Sequence, residues 1–421
     1  MRFPWLVLAC VLATPVFPTA HAQGAAPLTL AEAVRLAQAA NHAVRAREAQ
    51  LAAAEGTRRE ARALLFNNPE LAAEGTRRRF VSPDGSAHEW NAGIAQVFET
   101  GGQQAHRRDA AEAALEALQA EIDDARRQAG AAAALRHGAV LAAKHREHIE
   151  QRGVELFEST AQAIDQRRAA GEDTRLDANV ARIEAERARN AHGVARERLL
   201  DARAELAVVL QLPAPALPEV AGTLDPPAAL RYDLQRLLDS MAAQPRLRAL
   251  GGREDAARAR LAVERAARYP DLKLGLFAGR EGAGNARENL ATLALSLPLP
   301  LFKQNDAAIG QASSDAAQAQ IDRAAVVRDT EAQVRRLWLR LGSQRERVER
   351  LQRTMAAAAA DNRQLAAKSR QAGQIGLLDQ LLVDRQTIDA EREFNDALAE
   401  YHATRIELET AAGWPLEGSA P

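Results

Sequence analysis

The feature that most limits how this chain can fold is an internal repeat. NNPELAAEG (67–75) aligns with RYPDLKLGL (268–276), setting Pro69 against Pro270 at an offset of 201. Three later anchors keep an offset of 202: AGEDTRLDA (170–178) with AGQIGLLDQ (372–380), ARAEL (202–206) with TRIEL (404–408), and QLP (211–213) with GWP (413–415). One inserted residue between the first and second anchors reconciles all four. Self-similarity of this kind means one supersecondary unit built twice, so the fold has to place two copies of one element order.

Each copy reads as a helix of about 35 residues, a short strand pair, a helix of about 70 residues, a tight turn and a helix of about 40. The first copy opens on LTLAEAVRLAQAA, where Thr29 can cap and Glu32, three residues on, completes a capping box. Its strands are expected at about 70–79 and 88–98, its long helix at about 103–168 and its return helix at about 174–211. In the second copy the same elements fall at about 231–267, 271–279 and 289–300, 304–370 and 376–412. The repeats thus occupy 23–212 and 231–415, joined by a linker at 213–230 whose opening, PAPALPEVAGTLDPP, carries five prolines, and followed by a tail at 416–421.

The long helices have coiled-coil spacing. Val334, Leu337, Leu341, Gln344, Val348, Leu351 and Met355 step by 3 and 4 in turn, a seam in which only Gln344 is polar. A helix of ~65–70 residues spans roughly 100 Å, so two per repeat, reversing at Gly171 and Gly373, form a rod of that length. Composition agrees: 26% of residues are charged and only 4% aromatic, which fits long amphipathic helices better than a sheet-cored enzyme. Lys plus Arg number 55 against 56 Asp plus Glu, so net charge supplies no argument for nucleic acid.

The N-terminus reads as a secretory signal peptide over residues 1–22: one positive residue, an apolar run over Trp5 to Ala13, and Ala20-His21-Ala22 before Gln23. The single cysteine, Cys10, falls inside it, so the mature chain is expected to form no disulfide; acylation at Cys10 is the competing reading, against which the short apolar run before it argues. No later segment reads as a transmembrane helix.

NLATLALSLPLPLF (289–302) is too short for a spanning helix and contains Pro298 and Pro300. Leu293, Leu295, Leu297 and Leu299 alternate with Thr292, Ala294, Ser296 and Pro298, the pattern of a transmembrane β-barrel strand. Leu272, Leu274 and Leu276 alternate likewise, and Phe66, Phe80, Trp90, Phe98, Tyr269, Phe277 and Phe302 cluster near strand ends as an interfacial girdle requires. The first pair, LAAEGTRRRF and HEWNAGIAQVF, is weaker, with Arg77 to Arg79 expected at an interface or an extracellular end. Ordinary soluble hairpins are the alternative. Four strands cannot close a barrel, and an open edge cannot exist in lipid, so the membrane reading requires several chains to share one barrel.

With the repeat, LTLAEAVRLA, the NPEL and YPDL strand starts, SLPLPLF and the twin AGxxxxLD turns in place, the chain after its leader resembles the TolC-like outer-membrane efflux proteins. QVFETGGQQAHRR (96–108) resembles the ETGG segment of the cobalt-zinc-cadmium, heavy-metal RND branch. The resemblance implies a mainly α protomer with membrane β-strands, a homotrimer whose 12 strands close a β-barrel continued by a periplasmic α-barrel, and no cofactor. It implies an outer-membrane exit duct for divalent heavy-metal cations, seated in outer-membrane lipid with a large periplasmic portion, and served by a periplasmic adaptor and an inner-membrane RND pump. Organic compounds or secreted proteins are the alternative cargo, and a soluble periplasmic coiled-coil scaffold is the alternative class. The helix tips match adaptor-contact segments, which points to Gly171, Thr174 and Gly373. Asp379 matches a position that narrows the tube, with Asp177 as its repeat counterpart; the second carboxylate of that pattern is Leu382 here, which weakens the match. A helix-surface aspartate paired with arginine is the plain reading of both.

Other constellations carry less. His145 and His148 are three apart with His137 two turns earlier, but no third ligand is evident, and a solvated histidine-rich face is the simpler reading. GREGAGNARE (279–288) lacks the strand-to-helix context of a phosphate cradle and reads as an extracellular loop. No nucleophile elbow, mature thiol or paired carboxylates in a pocket support an enzyme.

Overall fold

Helix caps and narrow apolar stripes set the architecture. The computed structural model describes residues 26–81, 84–213, 216–372 and 374–415; the expected leader with Cys10, the tail and Gly373 lie outside the described residues. The first half contains α1 (Leu30–Ala40), α2 (His42–Glu48), α3 (Leu51–Ala61), β1 (Glu70–Val81), β2 (Asp84–Phe98), α4 (Gln103–Ala169) and α5 (Arg175–Val209). The second contains α6 (Leu234–Ser240), α7 (Pro245–Ala266), β3 (Leu272–Glu281), β4 (Glu288–Ser296), α8 (Asp306–Arg350), α9 (Ala357–Gln371) and α10 (Leu377–Ala412). The four strands form one antiparallel sheet in the order β1-β2-β3-β4, so the hairpins of the two halves meet at β2 and β3.

α1 starts at the expected capping box: the Glu32 amide donates to the Thr29 hydroxyl (3.3 Å), and the Thr29 amide donates to the Glu32 carboxylate (3.0 Å). Where the sequence predicts one helix of about 35 residues at the start of each half, the structure has breaks. Asn41 turns extended (φ −59°, ψ 132°) and its side-chain oxygen caps α2 on Ala43 N at 2.9 Å. Gln244 takes nearly the same conformation (φ −60°, ψ 130°), because Pro245 disfavours the helical region for the residue before it and is itself suited to the first helical position. The strand expected over 289–300 ends at Ser296: Pro298 and Pro300 have no N–H to give a ladder. The helix expected over 304–370 is interrupted by one π turn, Leu351–Ala356. There the Thr354 hydroxyl donates to the Arg350 carbonyl at 2.6 Å, competing with the backbone donor that a regular turn would use.

α4, 67 residues and so about 100 Å long, is the spine, packed along α1, α5, α7 and α10. The predicted seam holds through its upper part: Val334, Leu337, Leu341 and Val348 are buried with Tyr401 and Leu408 of α10. Between α4 and α5 the seam is small, with Ala178, Ala181, Ala185 and Ala188 closing on Phe157 and Ile164.

Polar ties fix the helices in register. Glu150, 2% exposed on α4, accepts from Arg146 Nε (2.7 Å) and Arg392 Nε (2.8 Å), which joins α4 to α10. Arg146 also reaches Asp396 (3.1 Å) and Arg392 reaches Asp389 (2.8 Å), and Arg152 pairs with Glu391. The linker is strapped to the start of the chain by Leu28 N to Glu219 O (2.7 Å) and Ala221 N to Leu28 O (2.9 Å). Buried His137 lies 3.1 Å through Nε2 from Leu28 O; since a carbonyl only accepts, Nε2 carries the proton. Burial holds this imidazole below its ordinary value of 6.5.

Two outcomes follow from these ties. Glu150→Ala leaves Arg146 and Arg392 without their shared carboxylate and is expected to cost about 3 kcal/mol, read as a lowered midpoint in circular dichroism melts of the detergent-solubilised protein. For His137, a folded-state value below the unfolded one means the unfolded chain gains the proton first, so stability declines as pH falls from about 6.5. His137→Gln is expected to flatten that part of the profile of melting midpoint against pH.

Candidate functional site

The sheet has two chemically different faces, fixed by its register. Leu71, Ile94, Leu276 and Leu293 stand directly opposite one another across all four strands. They are 85%, 50%, 62% and 72% exposed, an apolar row left open among the described residues. The row on one side is Ala73, Ala92, Ala278 and Ala291, and on the other lie Leu274 and Leu295 with Gln96. Beyond the alanines the same face turns polar through Trp90, Arg280 and Asn289. Arg77 and Arg79 follow toward the hairpin end. The opposite face carries Glu70, Glu74, Asn91, Lys273, Thr292 and Ser296; Lys273 pairs with Glu70, and Arg78 with Glu89 at 3.1 Å.

Phe277 corrects the expected girdle. It lies within β3 on the polar face, where its ring covers Gly93 and Gly275 so closely that a Cβ on either glycine would fall 2.3 and 2.5 Å from it. Trp90, Phe98, Phe66, Tyr269 and Phe302 are exposed, as a girdle requires.

The ETGG segment is the joint between sheet and spine. The Thr100 hydroxyl donates to Pro270 O (2.7 Å), Gly101 N to Gln103 Oε1 (2.7 Å) and Gln103 Nε2 to Asp271 Oδ1 (3.0 Å), so β2 of the first half is fastened to the start of β3. A Cβ at Gly101 would lie 2.5 Å from Ala266 O, and Gly102 has φ +76°, so both glycines are required by geometry. Glu99 pairs with Arg107 (2.6 Å), whose guanidinium lies 3.5 Å above the Phe66 ring. The sequence marks this segment as a family signature but gives no sign of its structural role.

At the far end of the spine, Gly171 reverses the chain with φ +82° and open space around its Cα. Thr174 caps α5 together with Asp177: Asp177 N donates to the Thr174 hydroxyl (3.1 Å), and Thr174 N donates to the Asp177 carboxylate (2.9 Å). The Thr174 hydroxyl and amide hold the Asp177 carboxyl below the usual carboxylate range. Asp379 caps α10 by accepting from Gly376 N at 3.1 Å. Both aspartates therefore serve their own helix N-termini, in place of the arginine pairing that was the plain alternative. Gln374, Ile375 and Leu377 face Arg167, Glu172 and Asp173 across a groove of about 690 Å³, which brings the two tips together.

The histidines divide. His137 is a buried strut to Leu28, whereas His145 and His148 are exposed and line a separate cavity. Among the described residues there is no cluster of three or more side chains suited to a metal ion, and no helix long and apolar enough to cross a membrane.

Comparison with known proteins agrees with this geometry. A cobalt-zinc-cadmium resistance protein, CzcC, of Cupriavidus metallidurans is 31% identical over 310 residues, which cover 73% of this chain and 70% of that protein. A membrane protein from Pseudomonas aeruginosa shares the fold at a TM-score of 0.75 and 22% identity, over 93% of this chain and 91% of that one. The CmeC outer membrane channel of Campylobacter jejuni does so at 0.76 and 13% identity, over 93% and 86%. The family model for outer membrane efflux proteins matches residues 33–210 and again 238–414, once in each half, and the chain belongs to that family.

Proposed function

We propose that three copies of this chain close a barrel in the outer membrane, and that the resulting duct passes divalent heavy-metal cations out of the cell. The observation that carries the reading is the exposed apolar row Leu71–Ile94–Leu276–Leu293, backed by a polar face, in a sheet whose β1 and β4 edges are unpaired among the described residues. Members of the family are channels, not enzymes. From Leu272 to Ala278 the apolar face rises about 20 Å at ~3.3 Å per residue. Exposed Leu299, Leu301 and Phe302 continue it toward the roughly 25 Å that a lipid-facing band requires. The helices then form the periplasmic continuation of the tube.

The choice of metal cargo is supported by the resemblance to the cobalt-zinc-cadmium resistance protein and by the ETGG segment; export of organic compounds or proteins through the same duct is the second reading. A passive duct needs a driven partner, so an inner-membrane RND pump and a periplasmic adaptor complete the system. The adaptor is assigned to the tips at Gly171, Thr174 and Gly373, beside the groove between them. Asp379, with Asp177, is assigned to the narrow end of the tube, where three symmetric carboxylates repel one another and favour cations.

A strain lacking the protein is expected to lose resistance to Co, Zn or Cd and to regain it with the wild-type copy, while its tolerance of dyes and antibiotics stays unchanged. Sensitivity confined to organic compounds overturns the metal assignment and leaves the duct; recovery of the protein in the soluble fraction without detergent overturns the duct. In the complemented strain, Gly171→Asn keeps a residue tolerant of positive φ and is expected to abolish resistance with the trimer intact. Asp379→Asn keeps the cap and removes the charge, and is expected to reduce cation preference in planar bilayers; an unchanged reversal potential removes Asp379 from the gate.

A further inference from the structure

Away from the sheet and the tips, a cavity of about 480 Å³ opens where α4, α10 and the linker between the halves meet. One wall is a single face of α4, on which Leu141, Lys144, His145 and His148 follow the i, i+3, i+4, i+7 spacing. Phe394 and Leu398 of α10 form the second wall, and the chain at 222–224 forms the third. Gly222 holds that chain at φ +115°, a conformation other residues resist, so the path of the linker around the cavity depends on glycine.

The polar groups of this cavity are one-sided. No carboxylate lines it, and those nearby are engaged: Asp225 with the Thr223 hydroxyl (2.9 Å), Glu147 with His192 (2.9 Å), Glu391 with Arg152, Asp396 and Glu150 with Arg146. Lys144, His145 and His148 do line it, and among the described residues none of the three has a hydrogen bond or ion pair to another protein group. Asn395 is occupied by the Ala142 carbonyl (3.3 Å). Two imidazoles beside an ammonium make a poor cation site, and no third ligand stands within the group. Unpartnered nitrogen donors on one wall, facing Leu224, Phe394 and Leu398 beside the already bonded Thr223 and Asn395, suit a different guest, and the volume is that of a small-molecule site.

We propose that this cavity binds a small amphiphilic anion, its carboxylate or phosphate head held by Lys144, His145 and His148 and its apolar body lying between Leu141, Phe394 and Leu398. Such a guest bridges the two halves and the linker at once, since α4 belongs to the first half and α10 to the second.

The test is isothermal titration of the full trimer held in amphipol, without free detergent. Decanoate is expected to bind saturably, with decanol and inorganic phosphate each at least about tenfold weaker because each lacks one half of the interaction. Lys144→Ala with His148→Ala is expected to abolish the difference between decanoate and decanol, and Leu398→Trp, which fills the cavity, to block decanoate with the donors intact. Tighter binding of decanoate than of benzoate points to an acyl chain drawn from the membrane, and the reverse to a compact soluble acid; both support the site. Equal binding of decanol and decanoate, decanoate binding unchanged in the variants, or saturable binding of zinc in its place overturns the proposal.

Discussion

A backbone N–H or C=O facing hydrocarbon has no water to turn to, and each one left unpaired costs several kcal/mol. That constraint governs everything at the sheet end of this molecule. Among the described residues the chain satisfies it across three strand boundaries and leaves two edges, β1 and β4, open. The apolar row across the sheet argues that the surroundings are lipid, and the open edges argue that other copies complete the ladder. The same constraint explains the ETGG joint. β2 and β3 come from different halves, so the sheet is continuous only if the hairpins are held side by side, and Thr100, Gln103 and the two glycines hold them.

The helical part rests on a different balance. Alanine-lined seams bring helices close but bury little area per residue, so side-chain shape alone specifies register weakly. The charge network around Glu150 adds position: moving α10 along α4 by one turn would take Arg392 away from a nearly inaccessible carboxylate and leave it Arg146 of its own helix alone. Arg and Glu, interleaved so evenly that they cancel in the net charge, thus fall into two groups, most on solvated faces and a few pinning one helix to another.

Much of this was legible in the sequence because the signals are periodic. The heptad through Val334 to Val348, the alternation of Leu272 to Leu276 and of Leu293 and Leu295, and the capping box at Thr29 all depend on local spacing, and all are found. What was not legible depends on single residues acting against a period. Asn41 interrupts a pattern that continues on both sides of it, and Gln244 does so because of the residue after it. Phe277 has the spacing of a girdle residue but the wrong parity, and only its register with Gly93 reveals that it packs inside. The aspartates at the tips read from the sequence as gate or as arginine-paired surface carboxylates; their capping bonds to Thr174 and Gly376 emerge only from the turn geometry.

The π turn at Leu351–Ala356 has a counterpart region in the first half, near Ile149 to Val154, where α4 remains a regular helix. Along their long helices the two halves therefore differ here in local winding. If three copies assemble as proposed, six tips of identical construction would present a ring of sixfold character. In that trimer, one extra unit of winding ahead of every second tip would make alternate tips differ, leaving a ring with threefold rather than sixfold character.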